Sequence, residues 1–209
     1  MSQMSQVIMI ANPKGGAGKT TLASNLCGYF AYQNQKVALV DLDRQQSSLR
    51  WLALRNENLA AITGFYAGNQ LTANLPRDFD RVVVDTPAGL QGYKLSDYLR
   101  AANKLLVPFS ASVFDMNATE DFIRQVKQEM LGARNKIALV AIRTDMRNKA
   151  AQMLERFAEE LHLPIVATLR PTQNYVNAAL AGLTIFDGAQ SKNKKDVVQW
   201  QPLLNWLEN

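Results

Sequence analysis

Pro13-Lys14-Gly15-Gly16-Ala17-Gly18-Lys19-Thr20-Thr21 is the stretch from which the fold is read. It stands between an apolar run, Val7-Ile8-Met9-Ile10-Ala11, and a helical pattern over 20–33, so it forms a strand-to-helix turn. Gly15, Gly16 and Gly18 permit backbone conformations that a side chain would forbid. Their N–H groups can converge on an anion, and the positive end of the following helix points the same way. Lys19 is expected to reach the outer phosphates of a nucleotide, and the Thr20 hydroxyl to ligate a magnesium ion. A P-loop ordinarily has glycine where Pro13 stands, five positions before Gly18. Here Pro13 replaces it, and Lys14 adds a second lysine at the start of the loop.

Outward from this loop, apolar strand patterns at 7–11, 36–42, 62–66, 81–85, 104–108, 137–143 and 164–169 alternate with helical ones. The helical patterns lie at 20–33, 47–55, 92–101, 117–131, 149–161, 172–181 and 194–207. Val82-Val83-Val84 and Ile137-Ala138-Leu139-Val140 are continuously apolar, as strands buried on both faces are. The alternation predicts an α/β fold: a doubly wound, mostly parallel sheet flanked by helices on both faces. Ligands of such sheets sit at the carboxyl ends of the strands. No repeat, low-complexity tract or linker is visible, so residues 1–209 read as a single P-loop domain. Too few residues precede the first strand for an N-terminal helix-turn-helix.

Composition narrows the chemistry. The single cysteine, Cys27, excludes an intrachain disulfide and a cysteine-built cluster, and reads as a small core residue. The sole histidine, His162, ends a helix near Pro164 and reads as structural. No apolar run approaches the ~20 residues that span a bilayer, and the N-terminus lacks a secretory pattern; a cytoplasmic location is expected. The net charge of +5, with a pI near 9.4, points to a polyanionic partner surface, DNA or acidic lipid.

Two further strand ends carry carboxylates. The second strand closes on Asp41-Leu42-Asp43, whose acidic side chains point the same way from an extended chain. One could hold metal-bound water while the other orients an attacking water; the pair could equally cap the helix near Ser47. Beside a P-loop the catalytic reading takes precedence. The fourth strand ends in Val82-Val83-Val84-Asp85, an apolar run closed by a carboxylate of Walker B form that would support magnesium. Pro87 and Gly89 then make a turn suited to sensing a γ-phosphate.

Lys14 to Thr21, Asp41-Leu42-Asp43 and Asp85-Thr86-Pro87-Ala88-Gly89 together resemble the ParA/MinD family of deviant Walker A ATPases. Val107-Pro108, Asp115, Leu169-Arg170-Pro171, Ala178 and Gly182 are also similar to family positions, so the likeness covers nearly the whole chain. Arg44 departs from it, since the family often has proline there. The resemblance implies an ATPase with Mg²⁺ that closes into a homodimer on ATP and is stimulated by a ParB-like adaptor. It implies that Lys14 contacts the partner subunit's nucleotide, with Gly15 and Gly16 small because two backbones approach there. The implied ATP contacts are Lys14 to Thr21 (Lys14, Gly15, Gly16, Ala17, Gly18, Lys19, Thr20, Thr21), with Arg170 and Pro171 near the nucleoside. Catalysis is assigned to Lys14, Lys19 and Asp43, the last positioning the attacking water, and the metal site to Thr20, Asp41 and Asp85.

The late basic residues Arg134, Lys136, Arg143, Arg147, Lys149, Lys192, Lys194 and Lys195 are candidates for non-specific, phosphate-directed DNA contact, and Arg143, Arg147, Lys149, Lys192, Lys194 and Lys195 are carried forward. That reading implies nucleoid association and the positioning of a cargo: a plasmid, a chromosome region, a carboxysome or a protein cluster. The alternative is a MinD-like membrane ATPase, which needs a C-terminal amphipathic helix. The tail 196–208 has two tryptophans, but Pro202 interrupts it and its own charges are acidic, so membrane attachment is not expected. A metabolic P-loop enzyme is the more distant alternative.

Overall fold

The computed structural model describes residues 5–68, 75–129, 137–145, 149–187 and 190–209. Its elements run β1 (Gln6–Ile10), α1 (Lys19–Tyr32), β2 (Val37–Asp41), α2 (Ser47–Ala53), β3 (Ile62–Tyr66), β4 (Arg81–Asp85) and α3 (Gly92–Ala101). They continue with β5 (Lys104–Ser110), α4 (Val113–Glu129), β6 (Ile137–Ile142), α5 (Lys149–Leu161), β7 (Ile165–Thr168), α6 (Asn174–Leu180) and α7 (Gln190–Glu208).

The strands form one seven-stranded sheet in the order β3-β2-β4-β1-β5-β6-β7. Every described pairing is parallel, so the sheet is wholly rather than mostly parallel. From β1 the chain crosses over β4 to reach β2, and after β4 it crosses back over β1 to build β5, β6 and β7. β1 is therefore where the winding reverses, and a crevice opens at its carboxyl end. Register sharpens this: Ile10 pairs with Asp85, and Asp85 with Asp41. The start of the glycine loop and the two acidic strand ends thus stand in one row, about 5 Å from strand to strand.

Strand alternation divides the core. Val7, Met9, Val84 and Val107 face a layer containing Leu95 of α3, Phe122 of α4 and Leu154 of α5. Ile8, Ile10, Val83 and Leu106 face Leu22, Leu26 and Phe30 of α1 and Trp200, Leu203 and Leu207 of α7. Both faces are covered, which is why these strands carry no polar alternation.

Two helices begin earlier than their sequence patterns. α4 starts at Val113 because Ser112 caps it, its Oγ accepting from Asp115 N at 3.3 Å. Asp115 accordingly lies inside the first turn. α7 starts at Gln190 and runs through Pro202 without a break. Proline there removes a hydrogen bond to the carbonyl of Val198. Val198 is 62% exposed, so water can take that carbonyl. Trp200, Leu203, Leu204 and Leu207 are buried, so the tail is a closing helix packed on the sheet.

Candidate nucleotide site

The glycine loop is held from below by Asn12, a buried polar residue immediately after the β1 run. Asn12 Nδ2 donates to Pro108 O at 2.9 Å and to Thr119 Oγ1 at 3.1 Å, and Asn12 Oδ1 accepts from Lys14 N at 2.8 Å. Gly16 and Gly18 adopt φ of 72° and 80°, so the loop needs glycine at both. A Cβ on Gly18 would also fall 2.5 Å from Ile142 Cδ1. Gly15 is different: its φ is ordinary and a Cβ there would meet nothing within 4 Å of its own chain. Lys19 folds back over the loop, donating to Asn12 O at 3.1 Å and Lys14 O at 2.9 Å. Burial lowers its pKa, opposed by the negative charges of Asp85 and Asp43.

The four remaining candidate residues of the phosphate end, Thr20, Asp41, Asp43 and Asp85, have distinct surroundings. Thr20 Oγ1 donates to Asp85 Oδ2 at 2.8 Å. Asp85 Oδ1 is buried and has no hydrogen-bond partner, and burial pushes the carboxyl up to about 7. A buried carboxylate oxygen without a donor is costly unless a cation faces it, so Thr20 and Asp85 fit a magnesium ion. Among the described residues no group of three or more His, Cys, Asp or Glu side chains forms a metal cage. The ion would then share its coordination with phosphate oxygens and water, as Mg²⁺ prefers. Asp41 is engaged elsewhere: its Oδ2 accepts from Ser48 Oγ at 2.6 Å, Ser48 N at 3.1 Å and Leu49 N at 3.3 Å, while Oδ1 accepts from Asp43 N at 2.8 Å. It holds the N-terminus of α2, the capping side of the two readings open to the acidic pair. Asp43 is half-buried with one oxygen on Gln45 N at 2.9 Å.

Lys14 turns away from its own glycines. Its Nζ lies 2.6 Å from Asp115 Oδ1, and both side chains are about one-third exposed (36% and 30%). The lysine, together with the Ser110 hydroxyl, holds the Asp115 carboxyl below the usual carboxylate range.

On the opposite side of the loop a cleft runs from Gly18 and Thr21 between Ile142, Leu169 and Arg170 to Tyr175 and Trp200. Arg143, in the left-handed region at φ 50°, lines it with Arg170. Burial pushes the Tyr175 hydroxyl up to about 12.

Residues 8–185 match the sequence pattern of the CobQ/CobB/MinD/ParA nucleotide binding domain. The chain belongs to that family. It is 30% identical to a maintenance of carboxysome distribution protein A of Gloeobacter kilaueensis, covering 93% of this chain and 90% of the relative. The protein of that name from Halothiobacillus neapolitanus is 27% identical, covering 91% and 92%. Among solved structures, a Cyanothece McdA–ATP complex superposes with a TM-score of 0.71 at 20% identity, covering 98% of this chain and 95% of that one.

Within this CobQ/CobB/MinD/ParA domain Asp41 and Asp85 stand at neighbouring strand ends, Thr20 of the loop bonds Asp85, and Arg170 lines the separate cleft that begins at Gly18 and Thr21. Pro171 follows Arg170 on the same loop. Of the six basic candidates, Arg143 lies in the cleft wall, while Lys194 and Lys195 are exposed on α7 beside Asp196. Arg147 lies outside the described residues, as do Arg134 and Lys136; for Lys149 and Lys192 only the backbone is described. Sequence reasoning did not pick out Asn12 or Ser48. The signal for Asn12 was present, a polar residue closing an apolar strand at the mouth of a glycine loop.

Proposed function

We propose that this chain is an ATPase of ParA type, one that pairs on ATP, binds DNA without sequence preference and hydrolyses ATP under stimulation by a partner protein. Through that cycle it would position a cargo; the two relatives above name carboxysome distribution as one such task. The observation that carries the reading is Lys14, a cation at the rim of the loop whose side chain is held, among the described residues, by one partly exposed ion pair. Such a pair is worth about 1 kcal/mol or less, so Lys14 can leave Asp115 for a partner subunit's triphosphate at little cost. The open space over Gly15 supports the same idea, because nothing among the described residues requires glycine there.

The geometry supports the following roles. Lys19 exchanges two backbone carbonyls for the β- and γ-phosphates. Thr20 and Asp85 would hold a magnesium ion, whose charge offsets that developing on the transferring phosphoryl group. Asp43 lies within electrostatic range of Lys19 and would accept a hydrogen bond from the attacking water. Lys14 of the partner subunit would add the second cation, as an arginine finger does. Asp41 transmits the state of this site to α2 through Ser48.

The membrane-bound alternative has less support, because Trp200, Leu203, Leu204 and Leu207 of α7 are already buried against the sheet. Among the described residues, no helix is long and apolar enough to cross a membrane. The test is sedimentation and ATP turnover of two variants. Lys19→Ala should bind no ATP and stay unpaired. Asp43→Ala should bind ATP, pair and hydrolyse poorly; normal turnover would remove Asp43 from its role, and ATP-dependent pairing of Lys19→Ala would sink the site assignment.

A further inference from the structure

α7 carries a buried ionisable group that the chemistry above does not use. Asp196 is completely buried, yet its carboxylate accepts from Arg170 Nε and from Asn174 Nδ2, each at 2.6 Å. Gln199, on the same helix, accepts from Arg170 N at 3.0 Å. Trp200 Nε1 donates to the Tyr175 hydroxyl at 2.9 Å, a further polar link between α7 and this loop. The Arg170 side chain itself is 39% exposed and lines the cleft leading from Gly18 and Thr21. Held through Nε, the guanidinium keeps both terminal nitrogens available, and neither makes a hydrogen bond among the described residues.

Stability does not account for this arrangement. A buried ion pair replaced by apolar side chains is often neutral or stabilising, and Trp200, Leu203 and Leu207 already anchor α7. What the carboxylate does is restrict a long, many-rotamer side chain to one direction. The cleft walls include Leu22, Ile142, Leu169 and Val176. A planar cation fixed against such walls offers a base one face for stacking and cation–π attraction.

We propose that Asp196 is a positioning residue, setting through Arg170 the affinity for the nucleoside portion of the bound nucleotide. This deepens the nucleotide-site reading and rests on it. The last helix, which sequence alone presents as a structural closure, then takes part in ligand recognition.

The experiment compares dissociation constants of ATP and of inorganic tripolyphosphate, each with magnesium, for the full chain. Asp196→Asn should weaken ATP about tenfold, the effect of losing one charge-assisted hydrogen bond. It should leave tripolyphosphate binding unchanged, because the phosphate end is untouched. Some fall in Tm accompanies the loss of a buried acceptor and does not weaken the comparison, which is between the two ligands. Arg170→Lys should show the same selective loss, and adding Asp196→Asn to it should cost nothing more, since residues acting as a unit are not additive. Unchanged ATP affinity in Asp196→Asn, parallel loss of both ligands, or additive losses would each overturn the proposal. If Asp196→Asn does not fold, full ATP affinity in Arg170→Lys overturns it alone. A wild-type chain that binds neither ligand removes the nucleotide-site reading, and this proposal with it.

Discussion

At the scale of single residues, the three loop glycines have different jobs, and substitution separates them. Gly18 is fixed by its own chain, through φ 80° and the contact with Ile142. Gly18→Ala should therefore lower stability by about 1–3 kcal/mol, visible as a fall in Tm. Gly15→Ala should leave Tm where it is, because the added methyl meets nothing, yet it should impair ATP-dependent self-association measured by light scattering. The same scale separates the two carboxylates of the acidic pair. Their spacing shows that they share a direction, but whether a carboxylate serves a metal or a helix depends on which N–H groups the next segment delivers. The turn after Asp43 brings Ser48 N and Leu49 N onto Asp41, whereas the local pattern leaves capping and metal support equally open.

At the scale of elements, α2 is fastened at both ends. Asp41 holds its beginning, and just past its end Arg55 makes a bidentate pair with Asp187 at 2.7 and 2.8 Å. Both side chains of that pair are at most 4% exposed. Gly182 lies so close to Leu54 that a Cβ would fall 2.4 Å from its backbone. Asp187→Ala leaves a buried arginine unpaired and should cost about 3–5 kcal/mol in denaturant unfolding. Burial opposes ionisation of Asp187, but Arg55 and Thr184 outweigh it and hold the carboxyl below its ordinary value. A folded-state pKa below the unfolded one means stability present above about pH 4 and lost as pH falls through the lower, folded value. Acid unfolding of Asp187→Asn should therefore lack this component. The tie also bears on function, since α2 follows the segment that carries Asp43.

At the scale of the whole molecule, Lys194 and Lys195 stand exposed on α7, whose buried residues pack on the sheet. ATP-dependent retention on DNA should fall at least about tenfold between 50 and 200 mM salt. Charge reversal of Lys194 and Lys195 together should weaken retention without changing ATP binding, as read by filter binding and nucleotide titration; loss of both would mean that α7 had been disturbed instead. Trp200→Ala tests the opposite face of that helix. Removing a fully buried tryptophan should cost about 3–5 kcal/mol in unfolding, with α7 detaching from the sheet.

The sequence by itself determined the architecture and marked the glycine loop after β1 as the candidate phosphate site. Glycines, lysines and strand-end carboxylates are short-range patterns, and continuous apolar strands admit little besides a parallel sheet covered on both faces. It did not determine the start of α4 at Val113, the passage of α7 through Pro202, the capping duty of Asp41 or the place of Arg143 in a cleft wall. Nor did it single out the long-range partnerships Lys14–Asp115, Arg55–Asp187 and Arg170–Asp196, which join residues 101, 132 and 26 positions apart. Only the tertiary structure decided these. Each depends on a register or a packing angle that brings distant segments within hydrogen-bond reach, and such distances are set by the whole core rather than by neighbours in the chain.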